Sequence, residues 1–191
     1  MRNRNIVFLL IAVALVAVLG LANRKAQQTE TYLSEIDPLT SKVESLNAQL
    51  EKAISGFYGP SREPGFDMPA CKENFDSLLQ DFADTNAQIQ DLPVPEHLME
   101  HHLLVRRLLE AKESYAEASV NWCYAIFELW EYADKAERGE ASKEEVQQRL
   151  RAVDTFSKEQ HSIAEKLGSY NAAVKLSRRV IEMNLGSNRG V

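Results

Sequence analysis

The residues that break helices are few in this chain and gathered in a few places, and that spacing dictates long helices. Eight glycines and six prolines occur in 191 residues. Most of them lie at Gly56–Pro69, Pro93–Pro95 and Gly139. The stretches between are free to propagate helix.

The first of these stretches opens with an apolar run from Ile6 to Ala22, preceded by Arg2 and Arg4 and interrupted by no charge. A run of this length sits at the short end of what spans a bilayer core. A cleaved signal peptide has a shorter apolar stretch and a polar cleavage region. Gly20 and Ala22 could serve as small residues at such a site, but no polar region sets them apart. An uncleaved signal anchor is therefore the reading, with secretion after cleavage as its alternative. No cysteine follows the run, which argues against a lipoprotein. Arg2 and Arg4 before the span lean towards a cytoplasmic N-terminus and a periplasmic or extracellular bulk, although Arg24 and Lys25 follow it. The expected organisation is an anchor over 1–24, a helical bundle over 25–186 and a tail over 187–191.

Beyond Arg24 the apolar periodicity predicts four helices. In the first, about Gln28–Tyr58, the residues Tyr32, Ile36, Leu39, Val43, Leu46, Leu50, Ala53 and Phe57 recur at intervals of four and three. This is a heptad seam, the pattern of a helix laid along another helix. Asp37-Pro38 within it reads as a kink or a fresh helix start. The second helix, about Ala70–Gln90, carries Phe75, Leu78, Leu79, Phe82 and Ile89. The third is expected from Pro95 to about Arg138, with a stripe of Leu98, Val105, Leu108, Leu109, Tyr115, Trp122, Ile126, Leu129 and Trp130. Ser142 and Glu145 form a capping box for the fourth. Its stripe runs from Val146 and Leu150 through Phe156, Leu167 and Val174 to Ile181, and Gly186 is the expected stop. Only a few residues join the third and fourth helices, so these must form an antiparallel hairpin. The fold class expected is all-α: an N-terminal transmembrane helix, then an antiparallel up-down four-helix bundle.

Composition narrows the function. Without Arg2 and Arg4 the chain holds 20 basic against 28 acidic residues. A surface that acidic lacks the basic face nucleic acid requires. His97 and His101 share one helix face and are the candidate metal ligands, but third and fourth ligands do not converge on them. The Glu-x-x-His of di-iron bundles and the Cys-x-x-Cys-His of covalent haem are both absent. With no nucleophile, acid–base pair or cofactor motif in view, no enzymatic role and no cofactor are expected.

Cys71 and Cys123 are the only cysteines and the candidate disulfide. Helices two and three folded tightly about residues 91–95 would bring level those residues whose numbers total 185. Cys71 would then face residue 114, leaving Cys123 about 13 Å further along, beyond the roughly 7 Å Cα reach of a disulfide. Phe57, Tyr58, Phe66 and Met68 of the first loop, with Tyr124 and Tyr132, are the candidate partner surface. The same loop could instead fold back and cap the bundle. Lys175, Arg178 and Arg179 return towards the membrane and are candidate contacts for anionic head groups. These features favour an anchored bundle that binds a protein partner, or itself, as an envelope scaffold or adaptor. The alternative is a ligand-binding or sensory bundle working with a separate membrane partner.

Overall fold

In a computed structural model the chain is all-helical. The backbone is described for residues 2–58 and 66–189, and the side chains for 17–58 and 66–186. Four helices follow in order: α1 (Arg2–Tyr58), α2 (Met68–Gln90), α3 (Met99–Glu137) and α4 (Lys143–Arg189). Among the described residues no helix is long and apolar enough to cross a membrane. Most of the expected span, residues 6–16 of the Ile6–Ala22 run, has side chains outside the described residues. Loop residues 59–65 lie outside them as well.

The heptad seam of α1 is core throughout. Tyr32, Ile36, Val43, Leu46, Leu50 and Phe57 are buried, and Leu39 and Ala53 are packed against them. The seam is consumed by the chain's own α2 and α3. No fresh start appears at Asp37-Pro38, since α1 runs through Pro38 without a break. The lost N–H is a local cost. Burial of Ile36 and Val43 on either side offsets it at roughly 1.5–3 kcal/mol for each side chain.

Several helix ends differ from expectation by a turn or less. Asp67 caps α2, accepting from the Ala70 N–H at 3.0 Å, so Pro69 sits in the first turn instead of in the loop. After Pro95 the chain makes a 3-10 turn over Glu96–Leu98 before α3 begins at Met99. Gly139 ends the third helix as expected. It takes φ +76°, and the Glu140 N–H reaches back to the Lys135 carbonyl at 2.8 Å. This αL termination needs glycine. The capping box is formed: Ser142 N–H donates to Glu145 Oε2 at 2.7 Å, and Glu145 N–H donates to Ser142 Oγ at 3.2 Å. Gly186 does not stop α4, which continues through Arg189 into the expected tail.

The helices do not share the core equally. α3 is central and touches each of the other three helices, and α4 also meets α1. Ala116, Ala118, Ser119 and Val120 are buried on it. Small side chains of this kind let a neighbouring helix approach closely. Ile181 is the single buried residue among those described in α4, at 9% exposure, and Leu150, expected in its stripe, is exposed. The fourth helix thus gives the core fewer buried side chains than the other three, though Ile181, Val153, Val174 and Leu185 join it.

Candidate functional site

The polar groups that converge in this protein lie at the end of the bundle nearest Lys25. The 3-10 turn supplies His97, α3 supplies His101 and His102, α1 supplies Thr29 and Tyr32, and α4 supplies Ser177 and Arg178. Thr29 Oγ donates to the Lys25 carbonyl at 2.8 Å and lies 2.9 Å from His97 Nε2. The hydroxyl has one hydrogen and spends it on the carbonyl, so His97 Nε2–H must donate to Thr29. His101 Nδ1 is 3.1 Å from Ser177 Oγ, and His102 Nδ1 is 3.2 Å from the Tyr32 hydroxyl. The Tyr32 ring meets both imidazoles edge-on, at 6.3 and 6.0 Å.

Burial keeps these rings neutral. His101 is 4% exposed, and desolvation, helped by Arg178, lowers its pKa to about 4. Desolvation also lowers His102, with Arg106 adding to it, and lowers His97, with Lys25 adding to it. Tyr32 is pushed upward by the same loss of water. Beside the cluster, Arg178 clamps α4 to α1 with two hydrogen bonds to Asp37, at 2.8 and 2.9 Å, and bonds Glu182 at 2.8 Å. A cleft of about 380 Å³ opens on this cluster, with Thr29, His97, His101 and Ser177 on its lining.

His101 and His102 are not the solvated imidazoles of a polar first turn. They are core residues, and they fill the seven-residue gap between Leu98 and Val105 in the α3 stripe. That gap, at three and four residues from Leu98, was the signal for them. Thr29 likewise extends the α1 seam by one step of three. As for metal, His97 and His101 turn one nitrogen each to a hydroxyl. Among the described residues no group of three or more His, Cys, Asp or Glu is placed to hold an ion.

The opposite end is closed by rings. Phe57, 1% exposed, stacks on Trp130 at 6.1 Å and meets Phe66 and Phe75 at 5.9 and 6.3 Å. Phe66 also packs on Phe127. Phe57, Phe66 and Met68 therefore cap the core and do not form an open partner surface. Tyr58 is the exposed member, stacked on Trp122 at 5.8 Å. Tyr124 is half-buried against Phe75, its hydroxyl 3.4 Å from Asp76, and desolvation followed by Asp76 raises its pKa. Tyr132 is half-buried beneath Lys135 and Arg149.

Cys71 and Cys123 are free thiols, half-buried and buried respectively. The level assigned to them from sequence needs correction. Asn86 donates to the Leu109 carbonyl at 3.4 Å and also to the Glu113 carboxylate, and Phe75 meets Tyr124. The first and last of these pairs total 195 and 199, not 185, because the connection includes the 3-10 turn as well as 91–95. Cys71 is thereby level with residues within about a turn of Cys123. Burial pushes the Cys123 thiol up to about 12, with Cys71 contributing, and burial raises Cys71 too. Neither is a reactive thiolate.

Of the three basic candidates for head-group contact, Arg178 is engaged by Asp37 and Glu182, while Lys175 and Arg179 are exposed. No family model, no curated protein and no solved structure matches the chain.

Proposed function

We propose that this protein is a membrane-anchored helical bundle outside the cytoplasm, working without catalysis as a scaffold or adaptor for a protein partner. The Ile6–Ala22 run would supply the anchor. The observation that carries the partner reading is the outer face of α4. Leu176, Val180 and Met183 are 65%, 45% and 65% exposed at spacings of four and three. This is a short heptad seam that the chain's own core leaves uncovered. Lys175 and Arg179 are exposed among its residues. The occupant that fits is a helix of a second protein with an apolar seam flanked by carboxylates.

The test is photocrosslinking in intact membranes from a crosslinker placed at Leu176, with one at Leu150 as control. One discrete adduct from position 176, lost in a folded Val180→Glu/Met183→Glu variant, is expected. The same adducts from both positions, or an adduct that survives the double substitution, would overturn the reading. Carbonate extraction tests the anchor: the full-length chain should stay with the membrane pellet at its uncleaved mass. A soluble, shortened chain would mean secretion after cleavage.

A further inference from the structure

The cleft at the Lys25 end has a use that the partner reading does not absorb. We infer that it binds the head of a zwitterionic amphiphile, a molecule joining an ammonium to a phosphate or carboxylate on a hydrocarbon body. The placement at a bilayer surface rests on the anchor reading; the head-group chemistry does not.

Polar groups reach the cleft from all three helices. Thr29 and His101 are buried to 5% and 4% exposure, yet both lie on its lining, as do His97 and Ser177. Buried polar groups converging on a cavity of about 380 Å³ form the usual pattern of a small-molecule site. Among the described residues the charges on the lining are one cation, Lys25, and one anion, Glu100, both exposed. With the imidazoles neutral, the cleft has no net charge to favour a simple anion or cation. A ligand carrying both signs satisfies both residues. The hydrogen bonding agrees. His97 Nε2–H is committed to Thr29, so the Nδ1 lone pair is the acceptor this ring has left.

The rest of the lining is hydrocarbon. Leu98, Ile181 and Leu185 form the apolar wall, and Val180 lies on it while being 45% exposed. Leu21 on α1 is exposed at the same end, at 61%. Apolar surface is thus available to a tail leaving the cleft. Thr29 lies seven residues past Ala22, about 10 Å along the helix. If the apolar run occupies the bilayer core, the cleft opens at the depth of the head groups.

The experiment is native mass spectrometry of the full-length chain released from detergent. The protein is first incubated with equal amounts of phosphatidylethanolamine and phosphatidylglycerol of matched acyl chains. One phosphatidylethanolamine should be retained per chain, at least tenfold over phosphatidylglycerol. Lys25→Ala and Glu100→Gln, both at exposed positions, should each cut that retention about tenfold with the melting temperature unchanged. Equal retention of the two lipids, or retention unaffected by both substitutions, would overturn the proposal. A titration with free phosphoethanolamine, followed by the imidazole NMR shifts of His97, separates the sources. Shifts that saturate support a site that takes a free zwitterion through its head alone. Silence alongside lipid retention supports a bilayer lipid held by head and tail together. Liposome flotation reports on the anchor independently. A chain that does not float but still binds phosphoethanolamine loses the anchor and keeps the site.

Discussion

At the Phe57 end the bundle is closed by rings on rings; at the Thr29 end it is closed by hydroxyls on imidazoles and by an ion pair. The aromatic end contains Phe57, Phe66, Phe75, Trp122 and Trp130 in edge and stacked contacts. The polar end contains Thr29, Tyr32, His97, His101, His102, Ser177 and the Asp37–Arg178 pair. Apolar burial is indifferent to pH and weakly sensitive to salt, whereas the polar end depends on protonation state. The contrast teaches where stability and adjustability reside. The aromatic end is a seal, and the polar end is the one whose chemistry a ligand or a proton can alter.

The largest effect should come from breaking the seal. Phe57→Ala removes a fully buried ring that three other rings contact, and should cost about 3–5 kcal/mol. Urea denaturation would read this as a lower midpoint at unchanged slope. A loss below about 1 kcal/mol would mean that the rings merely cover the end.

Acid should then act on the opposite end. His101 titrates near 6.5 when unfolded and near 4 when folded. Its contribution is fully present above pH 6.5 and is lost as pH falls towards 4, since the unfolded chain takes up the proton first. The span corresponds to at most about 3 kcal/mol. His97 and His102, also lowered, add in the same direction. His101→Gln should flatten the decline in stability between pH 6.5 and 4.5. An identical decline in the variant would assign the acid sensitivity to other groups.

Oxidation sharpens the contrast by stapling the aromatic end. The helix register brings Cys71 within about a turn of Cys123, so a thiol oxidant such as diamide should close the pair. The product would be an intramolecular species 2 Da lighter, about 2 kcal/mol more stable by denaturation, at the low end for a loop of this size. Full alkylation of both thiols after oxidation would show that the side chains do not meet. The smallest effect belongs to the partly exposed clamp. Asp37→Asn should cost about 1 kcal/mol and less in high salt. A salt-independent loss would indicate packing instead of charge.

Much of the architecture was legible in the chain. Every residue of the α1 seam from Tyr32 to Phe57 is buried or packed on the core. The Gly139 stop and the Ser142–Glu145 box stand where they were read. Both are local devices, set by periodicity and by backbone groups a few residues apart. The site was less legible. His97 and His101 read as candidate metal ligands, whereas the phase of His101 and His102 with Leu98 and Val105 places those two in the core. The glycines and prolines around the loop aromatics leave both a partner surface and a cap on the bundle open. Phe57 and Phe66 turn inward, since the far end of α3 offers Trp130 and Phe127 as a platform.

Taken by itself, the sequence determined the helix number, the approximate ends and the inward face of α1, because breakers, caps and heptads act over a few residues. Tertiary structure alone decided the register of α2 on α3, since a few residues of connection shift which side chains are level. It decided that Arg178 faces Asp37, 141 positions away. It also decided which hydroxyls meet the buried His101 and His102. Those partners come from neighbouring helices far away in the chain, and no local pattern encodes them.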